Sequence, residues 1–192
     1  MRKYVLNQKP TSFPLQQDHQ MNIHQTIAYK SSNGNGSQFS QEENRILNDF
    51  EIVAKEFMKP FDPEFETEIL NTSHKLKEIT SQNLNYPTRI IESTNIIING
   101  GKYLSSFENI QFASNMLYVV FKLISNSNFA LQQLIEQKPA ELLIRIYSVD
   151  NFELRRLINH IIKCFSMTDE GCQYIISSTL FRFVVDSTVE LF

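Results

Sequence analysis

Three observations predict an all-α protein built as a short stack of helical repeats. Glycine and proline are scarce, five and six among 192 residues, too few for the many turns of an all-β chain. From about Ser40 onward, apolar residues recur at intervals of three and four, which gives helices with one apolar face. The chain also resembles itself at intervals of roughly 40 to 47 residues, the period of stacked helical units.

Residues 1–39 stand apart from this pattern. They contain Gln16-Gln17, Asn22, His24, Gln25 and the run from Ser31 to Ser37, which bury too little to offset the entropy of ordering. Arg2, Lys3, Lys9 and Lys30 face one acid, Asp18, so the segment reads as a flexible, mildly basic polar tail. Phe13-Pro14-Leu15 is a short apolar island within it. The helical repeat domain is expected over residues 40–192.

Ser40-Gln-Glu-Glu43 has the spacing of a capping box, in which serine and glutamate satisfy each other's free N–H groups. Ile46, Phe50, Val53 and Phe57 then carry an apolar face until Pro60 stops the helix. Asp62-Pro63-Glu64 restarts the chain, with Asp62 as N-cap and Pro63 in the first helical position. Ile69, Leu76 and Ile79 extend the next face to about Gln82. Glu64, Glu66 and Glu68 crowd that helix start, where negative charge complements the helix dipole; no nucleophile or histidine accompanies them.

The repeat is clearest in the second half. Phe121-Lys-Leu-Ile-Ser125, Asn128 to Glu136 and Pro139 to Tyr147 return about 41 residues later. The copies are Ile162-Lys-Cys-Phe-Ser166, Asp169 to Ser177 and Leu180 to Val185. A weaker copy upstream joins Leu76-Lys-Glu-Ile-Thr80, Arg89-Ile-Ile-Glu-Ser93 and Asn95-Ile-Ile-Ile98 at an offset of about 45. Residues 46–59 and 64–82 then form an incomplete first unit. The second unit runs through 88–93, 95–105 and 107–126, and the third through 128–137, 139–148 and 151–167. The last unit has 169–178 and 179–192, without a long helix. A helical period of this length belongs to the armadillo/HEAT class, a right-handed solenoid, here of about three to four partial repeats.

Short stretches carry a resemblance to a family. Asn109-Ile-Gln-Phe-Ala-Ser114 is similar to the opening of an importin-α third helix, leucine/isoleucine-Gln-Phe-Glu-Ala. Leu76 to Thr80 and Arg89 to Ser93 resemble that family's arginine-lysine-leucine-leucine-serine and valine-isoleucine-glutamate-serine-glycine stretches. Over residues 46–192 the chain thus resembles importin-α-like armadillo proteins. The resemblance implies a concave groove lined by the third helices, each presenting a tryptophan and, four residues on, an asparagine that clamps an extended peptide.

Carried over by position, the resemblance puts Ser73, Tyr118 and Asn159 at the tryptophan positions. Lys77, Lys122 and Lys163 stand at the asparagine positions, and the chain has no tryptophan. Such lysines repel a basic peptide, since like charges a few Å apart cost on the order of 1 kcal/mol or more near a surface. The expected occupant is therefore an extended, acidic or carbonyl-rich segment of a protein partner.

Other chemistries find little support. A net charge of -3 exerts no global pull on nucleic acid or anionic membrane. No apolar run approaches the roughly 20 residues of a membrane span. Cys164 and Cys172, with His160 nearby, fall short of a zinc ligand set and read as two small buried thiols. Gly100-Gly101-Lys102 lacks the remaining glycine of a phosphate loop and reads as a break within the second unit. Arg155-Arg156 with His160 lacks the glycine loop or interleaved aromatics of a phosphate or nucleic-acid site. No catalytic residues, metal or cofactor are expected.

Phe181, Val184, Val185, Leu191 and Phe192 form an apolar face at the end of the stack, expected to contact a partner or a second copy. The function expected is a non-enzymatic protein-binding module, an importin-α-like adapter that takes a peptide or subunit in its groove. The alternative is a structural subunit of a larger assembly, held by this end face and the tail. The lack of a disulfide framework points to an intracellular setting, cytoplasm or nucleus.

Overall fold

The structure is a computed structural model that describes residues 39–189 apart from 83 and 107. The predicted tail up to residue 38, and Leu191 and Phe192 of the end face, lie outside the described residues. Ten α-helices follow one another, with two short 3-10 turns and no strand among the described residues.

Helix α1, Gln41–Lys55, begins at the predicted capping box. Glu43 N–H donates to Ser40 Oγ at 3.2 Å, and Ser40 N–H donates to the Glu43 carboxylate at 2.7 Å. A 3-10 turn, Glu56–Met58, leads to Pro60, and a second, Pro63–Phe65, opens α2, Glu66–Thr80. Asp62 accepts from Glu64 N–H at 3.0 Å, as an N-cap should. Helices α3, Thr88–Thr94, and α4, Ile96–Ser106, are separated by Asn95 alone. Its φ of 48° is left-handed, a conformation that asparagine tolerates better than most residues and that ends a helix in one step.

Helices α5, Ile110–Asn126, and α6, Asn128–Glu136, carry on the chain. Helices α7, Ala140–Tyr147, and α8, Phe152–Phe165, follow. Helices α9, Asp169–Ser177, and α10, Thr179–Val189, complete the set. Four of these starts share one device with Ser40, a polar side chain that accepts the N–H three residues on: Asn109, Ser127, Asn151 and Thr168. The helices therefore fall where capping and periodicity predict them, within a few residues at each end.

The long helices lie side by side, with α5 packed between α2 and α8. The short helices α3, α6 and α9 also touch in sequence, while α4 packs on α5 and α6, and α7 on α8 and α10. One continuous core results, from Leu47 and Phe50 at one end to Phe165 and Leu180 at the other. Phe39 is half-buried against it.

Three glycines lie within helices. Gly100 and Gly101 lie inside α4 and break nothing. Gly100 is buried, and a Cβ there would stand 2.8 Å from the Met116 methyl group, so it lets α4 approach α5. Gly171 is tighter: a Cβ would fall 2.2 Å from the Phe165 carbonyl oxygen, so α9 can start against the last turn of α8 only without a side chain.

Candidate protein-binding face

The row α2, α5, α8 carries all six residues that the family resemblance selects for a groove. Helix α5 is fixed on both sides by an unusually buried surface; Phe112, Met116, Leu117, Val119 and Leu123 are among its inward residues. Between α2 and α5 the packing includes a polar chain. Gln111 Nε2 donates to Asn115 Oδ1 at 3.1 Å, Asn115 Nδ2 donates to Ser73 Oγ at 3.1 Å, and Ser73 Oγ donates to the Leu70 carbonyl at 2.7 Å.

This chain corrects the reading of Ser73. It is fully buried and spends its hydroxyl between helices, so it offers nothing to a partner at the surface. A serine is small enough for α5 to close over it. Asn115, which the repeat offsets did not select, is the residue that meets it there.

One turn along, the predicted residues do come together. Lys77 on α2 places its ammonium 5.5 Å from the centre of the Tyr118 ring, and Lys122 places its own 5.7 Å from the same ring. Both distances fall within cation–π range. All three side chains are partly exposed. The spacing of four between Tyr118 and Lys122 puts them on one face of α5, and packing brings Lys77 to that face from α2. Tyr118 thus has an ammonium from each of two helices within cation–π range of its ring.

On α8 the positions four apart, Asn159 and Lys163, are both exposed. Neither Lys77 nor Lys163 makes an ion pair among the described residues. A further aromatic pair links the helices: the rings of Phe121 and His160 stack at 5.1 Å with 24° between their planes. Both are partly exposed. This pair joins α5 to α8, as Asn115 joins α5 to α2. Sequence repeats could not find it, because neither residue has a counterpart of its type one period away.

The remaining candidates are engaged locally. Arg155 donates to the Tyr147 carbonyl at 3.2 Å, pairs with Asp150 at 3.3 Å and lies over the Tyr147 ring. Arg156 pairs with Glu153 at 2.8 Å. Cys164 is buried, and burial pushes its thiol pKa up, partly opposed by Lys163. Cys172 is half-buried rather than buried as expected, and its thiol donates to the Ser166 carbonyl. No group of three metal-ligating side chains occurs among the described residues. No helix among them is long and apolar enough to cross a membrane.

At the far end, Leu180 is buried and Phe183 packs edge-on against Tyr147 at 4.8 Å. Phe181 and Val185 turn outward, 50% and 44% exposed, while Val184 is half-buried. Ile176 on α9 is 68% exposed and adds to the outward apolar surface. No family model, curated protein or solved structure matches the chain.

Proposed function

We propose that the protein is a non-enzymatic interaction module of armadillo type that holds an extended acidic segment of a partner along α2, α5 and α8. The observation that carries this reading is the Lys77–Tyr118–Lys122 cluster. Two positive charges share one aromatic platform, with Lys163 exposed on the next long helix. Carboxylates spaced along an extended chain would meet such charges in turn, while a basic segment would be repelled. Two shorter helices precede each of the long helices α5 and α8, and the long helices pack in a row, which supports the reading as an armadillo-type solenoid.

A second reading, a subunit of a larger assembly, is favoured by the outward Phe181 and Val185 on α10. The two readings separate on purification from native extract. An adapter yields partners that exchange with added acidic peptide and leave at high salt, since exposed charge pairs are screened. A subunit yields a fixed stoichiometry that survives salt. In the second case Phe181→Asp releases the partner while the isolated domain melts almost unchanged, within about 0.5 kcal/mol, as expected of an exposed position. Retention of the partner by that variant contradicts the subunit reading through this face.

A further inference from the structure

The lysine row leaves another part of the molecule unexplained. Between α4 and α7 lies a cavity of about 470 Å³. Ile98 and Leu142, both partly exposed, line it from α4 and α7, and the buried core residues Ile97, Leu117, Leu143 and Ile161 border it. Lys102, Lys138, Arg145 and Glu141 also line it and are exposed, three cations to one carboxylate. Arg145 donates to the Leu104 and Ser105 carbonyls at 3.2 and 3.4 Å, tying α7 to the end of α4. Lys102 and Lys138 make no ion pair among the described residues. A concave site of this size, apolar within and polar at its edge, is what small organic ligands occupy.

Gly101 sharpens the assignment. It lies inside α4 and lines the cavity, and a Cβ there would meet nothing within 4 Å. Glycine is the poorest helix former after proline, so packing gives no reason for it here. Its neighbour Gly100 has such a reason in the Met116 contact. Backbone bared towards an open cavity allows something to approach closely.

We propose that this cavity binds a small amphipathic carboxylate. Its hydrocarbon chain would lie over Ile98 and Leu142 and pass beside Gly101, and its carboxylate would meet Lys102 and Lys138. The assignment uses residues separate from Lys77, Tyr118 and Lys122, so it stands or falls apart from the proposed groove.

The test titrates the full-length protein with decanoate, below its micelle concentration, and with decanol as the uncharged control. Calorimetry should show saturable decanoate binding, with decanol weaker by roughly tenfold because the charge-assisted contact is lost. Amide chemical-shift changes should centre on residues around the cavity in α4, α6 and α7. Gly101→Phe fills the cavity and should abolish binding; Gly101→Leu serves if the larger ring prevents folding. Lys102→Glu with Lys138→Glu should lose decanoate by roughly tenfold and leave decanol unchanged. The proposal is overturned by no saturable binding to the wild type, or by equal affinity for decanoate and decanol. It is also overturned by unaltered binding in a folded Gly101 variant, or by shift changes centred on Tyr118.

Discussion

At the scale of single residues, the packing of α2 on α5 turns on Asn115. It is fully buried, donates to Ser73 and accepts from the exposed Gln111, so its loss leaves the buried Ser73 oxygen without a donor. Asn115→Ala should cost about 1–3 kcal/mol in a urea melt, the usual penalty for orphaned buried polar groups. A cost near zero would mean that water replaces the amide and the polar chain does not couple the helices. Gly171→Ala should be as harmful for a different reason. Its Cβ collides with the Phe165 backbone rather than with a side chain that can rotate away. Overpacking of that kind costs about 1–3 kcal/mol or more, readable as a lower melting midpoint in the same experiment. Neither role was legible in the sequence. Ser73 and Asn115 lie 42 residues apart, and only the rotation of α2 about its axis decides that they meet.

At the scale of the helices, far more could be read in advance. Ser40-Gln-Glu-Glu43 and Asp62-Pro63 each state a local hydrogen bond, and each bond forms. The capping box also makes a prediction with a sign. The Ser40 backbone N–H first, and its side chain second, hold the Glu43 carboxyl below its ordinary pKa of 4.5. A carboxyl depressed in the folded state contributes stability that is present above 4.5 and lost as pH falls through the depressed value. Glu43→Ala should therefore melt below the wild type at about pH 7, and the gap should narrow at about pH 3, followed by circular dichroism. A gap that persists in acid would assign the effect to helix propensity instead. Gly100 and Gly101 misled the same reasoning. Glycine marks breaks on average, yet inside α4 one admits Met116 and the other borders a cavity, both tertiary facts.

At the scale of the molecule, the repeat period singles out residues on α2, α5 and α8, and these three helices lie side by side. Lys77, Tyr118 and Lys122 come together, and Asn159 and Lys163 lie exposed on α8. The period missed the burial of Ser73, which Asn115 of α5 meets. It was silent on Phe121 and His160, whose stack closes the seam between α5 and α8. The central claim is that this row binds through its positive charge. Its most direct test is a fluorescence anisotropy titration of a labelled extended peptide alternating glutamate and leucine. Wild-type protein is compared with the triple variant Lys77→Glu, Lys122→Glu, Lys163→Glu. The wild type should bind, weaken as salt is raised, and lose roughly tenfold or more in the triple variant with the melting midpoint little changed. Equal affinity of the two proteins for the peptide would contradict the claim.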